Sequence, residues 1–235
     1  MLEPGLPRHG VSTGRAAFEH ALVEPLSMSR AAEVADSLTI VPANEATWQD
    51  IQAVFGTRGD PRRCQCQRFK MSPGESWASV GAAQLGSRLR AQMQCGHPEA
   101  TTTCGLVAYL DGEPVGWCAV EPRSAHARLL RNNRVPWEGR SEDKTDATVW
   151  AVTCFVTRPG FRRRGIAGAL ARAAVDFARE RGARALEGYP MLTKPGQDVS
   201  WGELHVGNRN MFEAAGFSEV VRPTIRRVVM RVDFA

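Results

Sequence analysis

The sequence predicts an α/β (α+β) domain built on a mixed central sheet of about seven strands with flanking helices. Three observations lead there. Val149 to Val156 is a run of β-branched and aromatic residues that passes through a basic, glycine-containing turn into a helix with one apolar face. Asp111-Gly112 stands between two apolar runs, and a type I′ hairpin turn needs positive φ at both central residues. Arg184 to Met191 then has the length and position of a strand parallel to the first run.

Along the chain, Leu38 to Val41 reads as the first strand. Pro42 and Asn44 lead into a helix carrying Trp48, Ile51, Val54 and Phe55, and a loop from Gly56 to Gly74 precedes a second helix over 75–93. Leu106–Leu110 and Pro114–Val120 are the arms of the hairpin. Glu121 to Ala147 is a polar, Arg-rich connection with a short helix near 124–131. After the run at 149–156, Pro159 has no N–H to donate and stops the ladder. Ile166, Leu170, Ala173, Ala174 and Phe177 then make one helix face, and Gly182 ends it. Beyond the strand at 184–191, a loop over 192–201 is broken by Pro195 and Gly196. Asn208 caps a short helix to Ala215, Gly216 stops it, and strands at 217–221 and 224–232 complete the order βααβββαβαββ. Residues 1–36, interrupted by Pro4, Gly5, Pro7, Gly10 and Gly14, offer no periodic core face. They are expected to be an N-terminal extension to a domain over 37–235.

The 235 residues are 43% hydrophobic and 23% charged, enough for one sizeable core. No apolar run approaches the roughly 20 residues of a membrane span. Glu3, Glu19 and Glu24 interrupt the N-terminus, so no secretory signal is expected and the cytoplasm is the expected compartment. The net charge of +5 comes from arginine, 27 residues against the three lysines Lys70, Lys144 and Lys194. These arginines are scattered without aromatic interleaving, so neither nucleic acid nor membrane is expected as a partner. Six cysteines do not make a disulfide framework. Cys64-x-Cys66 with Cys95-x-His97 is a conceivable zinc set, but its C-x-C spacing falls outside the usual knuckle, and no metal is expected.

The turn itself carries the chemistry. Arg162-x-x-Gly165-x-Ala167 opens a helix, and such a turn cradles phosphate through outward backbone N–H groups backed by the helix's positive end. This pattern resembles the acyl-CoA-binding loop of the GCN5-related N-acetyltransferase (GNAT) family. Met211 to Phe217, MFEAAGF, is similar to that family's second motif, and the element order over about 37–233 is similar to the GNAT order. The resemblance implies strands splayed at an acyl-CoA slot and acetyl-CoA as co-substrate. It implies that Phe155, Val156 and Thr157 offer backbone groups to the pantetheine. Arg162, Arg163, Arg164, Gly165, Ile166, Ala167 and Gly168 would hold the pyrophosphate, with Phe212 beside the cofactor.

The implied reaction moves an acetyl group to a primary amine, of a small molecule or a protein, by direct attack in a ternary complex. A lysine-like amine must lose a proton first, at a cost of about 4.6 kcal/mol at pH 7, so a general base is needed. Glu187, an acid in a strand that should be apolar, is the leading candidate, and burial would raise its pKa. Glu121 and His205 are weaker candidates. The family's usual tyrosine donor is replaced by Phe212, leaving Tyr189, two residues from Glu187 and on the same face, as the candidate donor. Cys154 reads as packing rather than as a nucleophile. Trp77, Trp137 and Trp201 are candidates for the acceptor wall. The alternative function is an acyl-CoA-binding regulatory or interaction module with little turnover, and a homodimer is left open.

Overall fold

The computed structural model of the chain describes residues 38–132, 134–193 and 199–235. The extension expected over 1–36 lies outside the described residues. Strands β1 (Leu38–Pro42), β2 (Gly105–Leu110), β3 (Glu113–Pro122), β4 (Val149–Thr157), β5 (Ala185–Gly188), β6 (Ser218–Thr224) and β7 (Arg227–Asp233) form one seven-stranded sheet. Its order is β1-β2-β3-β4-β5-β7-β6. Only β4 and β5 pair in parallel, and every other pair is antiparallel. The mixed sheet with flanking helices is the architecture read from the sequence. Asp111 and Gly112 both have positive φ, 51° and 80°, as the hairpin turn between β2 and β3 requires.

Helices α1 (Trp48–Phe55), α2 (Gly59–Cys64), α3 (Trp77–Val80) and α4 (Ala82–Met93) come before the hairpin. The single helix expected over 75–93 is divided because Gly81 sits at φ 82°, outside the helical region. A 3₁₀ turn at Arg123–Ala125, α5 (Ala127–Asn132) and α6 (Arg134–Trp137) occupy the expected loop. Helix α7 (Ile166–Glu180) follows β4, and the short helices α8 (Trp201–Leu204) and α9 (Arg209–Glu213) follow β5. No described helix is long and apolar enough to cross a membrane.

Helix α7 packs Ile166, Leu170, Ala174 and Phe177 on one sheet face, against Val120 of β3, Val152 of β4 and Leu186 of β5. Gly116 permits that approach, because a β-carbon there would stand 2.7 Å from the Ile166 side chain. The opposite face is covered by α1 and α4 toward β2 and β3, where Phe55 meets Trp117 edge-on at 6.1 Å. Toward β5 and β7 it is covered by Phe69, Leu129 and Val135. The candidate catalytic side chains Glu187 and Tyr189 lie on this second face.

Candidate active site

A bulge opens the sheet where a ligand can enter. In the β3–β4 ladder Ala119 faces Cys154 and Val120 faces Val152, so Thr153 is the extra residue of β4. The β4–β5 ladder ends at Val152↔Gly188, beside that bulge. Beyond it the two parallel strands splay, as the resemblance implied. The segment before α9 enters the opening, and its His205 carbonyl accepts the Phe155 N–H at 2.6 Å. Phe155 therefore spends within the chain the donor that was expected for the pantetheine. Strand alternation turns the Thr157 N–H to the same open edge. Val156 and Thr157 line a cavity of about 300 Å³, together with Phe55, Arg58, Arg162 and Gly202.

At the mouth of that cavity, the turn before α7 has the features of a phosphate cradle. Arg163 (φ 63°) and Gly165 (φ 78°) are left-handed, and no side chain caps the helix at Gly165. The first N–H groups of α7, from Ile166, Ala167 and Gly168, are those that a helix leaves without intrahelical partners. A β-carbon at Gly165 would meet nothing within 4 Å. Arg162, Arg163 and Arg164 are exposed around it, while the Ile166 side chain is buried in the core. The sequence has thus placed donors, positive charge and open space at one point, which suits a pyrophosphate.

Phe212, expected beside the cofactor, is a core residue. It is fully buried, stacked edge-on against Phe155 (5.9 Å) and Phe217 (4.9 Å). A β-carbon at Gly188 would stand 2.1 Å from its ring. Phe212 therefore supports β4 and β5 from the α7 side and does not line the cavity along Val156 and Thr157. An aromatic ring without a hydroxyl has no polar group to bring toward the opening.

Glu187 also departs from expectation, in its charge state. Paired residues place Glu121, Ala151, Glu187 and Arg231 in one row across β3, β4, β5 and β7. Arg231 donates to Glu187 Oε1 at 3.0 Å, and Arg123 and Arg140 each donate to Oε2 at 3.2 Å. A second Arg140 nitrogen donates to Oε1. The Tyr189 hydroxyl donates to Oε2 at 3.0 Å, which confirms the shared facing of the two side chains. Burial alone would raise the carboxyl pKa, but the hydrogen bonds and charges of Arg140 and Arg123 outweigh it and hold the group below its ordinary range. Glu142 and Asp233 complete the charge balance, at 2.9 Å from Arg140 and 2.8 Å from Arg231. The cluster fixes the Glu121–Ala147 connection to the sheet. Trp137 is part of it, buried with the Arg123 guanidinium 4.7 Å from its ring centre.

A larger cavity, about 540 Å³, lies on this same face and shares Gly202 with the first. Phe69, Trp77, Met191 and His205 line it. His205 is the cavity-lining side chain that the sequence undervalued, because it stands in a segment with no strand or helix period. Its ring stacks near Phe69 at 6.2 Å, and its Nδ1 is 2.9 Å from the Gly202 carbonyl. That carbonyl can only accept, so Nδ1 carries the proton and Nε2 the lone pair. Burial, with Arg68 nearby, lowers its pKa to about 4.

Glu121 is buried beside Lys70 (2.6 Å) and 3.7 Å from His126 Nε2. Burial raises its carboxyl pKa against the pull of Lys70. The Trp117 indole N–H donates to Cys66 Sγ at 3.2 Å, and the His97 Nδ1 lies 3.1 Å from Glu99. Among the described residues no group of histidine, cysteine and acidic side chains is assembled to hold a metal.

The two buried histidines have a measurable consequence. Burial lowers His126 to about 3 and His205 to about 4, from an ordinary value near 6.5. In that window the unfolded chain binds more protons than the folded one. Stability is therefore expected to be fullest above pH 6.5 and to fall as pH drops toward 4, by about 1.4 kcal/mol per pH unit for each imidazole. Calorimetric melting between pH 4.5 and 7.5 checks this, and His126→Gln should flatten the slope. A melting temperature constant across that range would contradict it.

Residues 75–189 match the family described as the acetyltransferase (GNAT) family. Similar solved structures include Ard1 from Thermoplasma volcanium, at 16% identity and TM-score 0.43, covering 85% of this chain and 99% of that one. A GCN5-related N-acetyltransferase from Kribbella flavida has 17% identity and TM-score 0.45, with 85% and 99% covered. PaiA N-acetyltransferase from Thermoplasma acidophilum, solved in complex with coenzyme A, has 12% identity and TM-score 0.43, with 84% and 99% covered. No protein of curated function matches the sequence. Residues 75–189 thus carry an acetyltransferase domain of the GNAT family.

Proposed function

We propose that the protein is an acetyl-CoA-dependent N-acetyltransferase that acetylates a primary amine by direct attack in a ternary complex. The observation that carries this reading is the open, uncapped N-terminus of α7 at Gly165, flanked by Arg162 to Arg164 and continuous with the cavity along Val156 and Thr157. Arg162 to Gly168 hold the pyrophosphate through backbone N–H groups and charge-assisted hydrogen bonds. The Thr157 N–H, on the open edge of β4, contacts the pantetheine. Acetyl-CoA supplies the activated acyl carbon as a thioester.

The amine enters from the 540 Å³ cavity. Its nitrogen forms the new N–C bond, the C–S bond breaks, and the amine proton passes to His205, which lines that cavity. The departing thiolate takes a proton from water. His205 is neutral at pH 7 and adjoins the slot through its own carbonyl. Glu187, ionised and held by three arginines, serves to anchor Tyr189, and the pair positions β5 beside the slot. Glu121, with its raised pKa, is the reserve candidate for the base.

Thiol release from acetyl-CoA, measured against a panel of primary amines, tests the reading. His205→Gln is expected to lower kcat by roughly 10²–10⁴-fold with unchanged acetyl-CoA affinity. Full turnover in that variant would remove His205 as the base. The alternative, an acyl-CoA-binding module without turnover, is favoured by the engaged Phe155 N–H. Tight acetyl-CoA binding with no thiol release for any amine would establish it.

A further inference from the structure

We propose that the acceptor is a small anionic primary amine, whose carboxylate or phosphate is held by arginines in the larger cavity. This rests on the acetyltransferase reading above and names the substrate class of the same site. Arg68, Arg128, Arg226 and Arg227 all line the cavity, against one carboxylate, Glu203. Glu203 is taken by Arg226, at 2.7 Å. Among the described residues, Arg68, Arg128 and Arg227 have no carboxylate within ion-pair distance. Among the described residues, three guanidiniums therefore share one concave space with no carboxylate paired to them.

Two of the three are held in place, and Arg128 stands exposed at the rim. Arg68 lies 4.5 Å over the Trp77 ring, which leaves its N–H edge to meet a planar anion. Arg227 donates to the Tyr189 carbonyl at 2.8 Å, which fixes it at the cavity wall. Burial and the charges of Arg226 and Arg68 depress its pKa, the mark of an uncompensated cation. Like charges around a low-dielectric cleft focus a positive potential, and an anion bound there relieves their repulsion.

The phosphates of CoA do not account for these residues. Their cradle is the turn at Arg162 to Gly168, and Arg162 lines the other cavity, beyond Gly202. The remaining walls of the larger cavity are Phe69, Trp77 and Met191, which suit an apolar portion next to the anionic one. Its volume of about 540 Å³ is that of a small-molecule site. Anion binding also serves the chemistry. Arg68 and Arg227 both depress the His205 imidazole, so an anion that offsets them makes His205 a better proton acceptor where the amine stands.

The test uses matched pairs of amines with the full chain and saturating acetyl-CoA: L-phenylalanine against its carboxamide, and 2-aminoethyl phosphate against ethanolamine. In at least one pair the charged member should exceed the neutral one by about 100-fold in kcat/KM, the size expected of two charge-assisted hydrogen bonds. The winning pair identifies carboxylate or phosphate. Arg68→Gln and Arg128→Gln should each reduce that preference about tenfold, with acetyl-CoA affinity retained. Equal use of neutral and charged amines would overturn the inference, and so would loss of acetyl-CoA affinity in these variants. If no amine is turned over, calorimetric titration of the same amines into the CoA-saturated protein decides. Binding of a charged amine, weakened in both variants, upholds the site while the transferase reading fails. Absence of binding overturns both.

Discussion

Replacement of Gly165 by glutamate is expected to abolish acetyl-CoA binding while leaving the fold intact. Gly165 is left-handed at φ 78°, so any side chain there carries backbone strain of about 1–2 kcal/mol. That strain is tolerable in a domain with this much core. The β-carbon itself meets open space, so the new carboxylate would project where the pyrophosphate must approach and would repel it. Gly165→Ala carries the same strain without the charge and should bind far better than the glutamate variant. Calorimetric titration with acetyl-CoA, alongside melting curves, separates the two contributions. Undiminished affinity in the glutamate variant would remove the phosphate cradle from this turn.

Glu187→Gln is expected to destabilise the protein by about 3–5 kcal/mol, because it leaves buried guanidiniums without their shared anion. For a domain of this size that is a fall in melting temperature of roughly 6–20 °C. Glu142, which already contacts Arg140 and Arg231, places the outcome toward the smaller end. The pH dependence identifies the cause. The folded-state pKa of Glu187 is depressed, so its contribution is complete above the unfolded carboxyl range near 4.3 and fades as pH falls below it. Wild type and variant should therefore converge on acidification. A variant that melts with the wild type at pH 7 would show that the cluster contributes nothing to stability.

What the sequence disclosed follows the range of the forces involved. The hairpin at Asp111-Gly112, the turn into α7 and the cap at Asn208 depend on residues within one or two turns of each other, and each is found where it was read. The shared facing of Glu187 and Tyr189 follows from strand period alone. The charge state of Glu187 does not, since its arginines come from positions 64, 47 and 44 residues away. Gly81 was invisible as a break because a glycine inside an otherwise helical pattern is usually tolerated. His205 has no periodic neighbours, and only the closure of its segment onto Phe155 places it at the slot.

The cluster around Glu187 also bears on how the molecule persists over time. It joins the connection after β3, strand β5 and the last strand, β7, so it can close only after the chain has brought three distant segments together. Contacts of such long sequence separation are assembled late, after most of the loop-closure entropy has been met. Interactions absent from the folding transition state act on the rate of unfolding rather than of folding. The arginine cluster is thus expected to slow escape from the native state more than it hastens arrival there, which unfolding and refolding rates of Glu187→Gln would check.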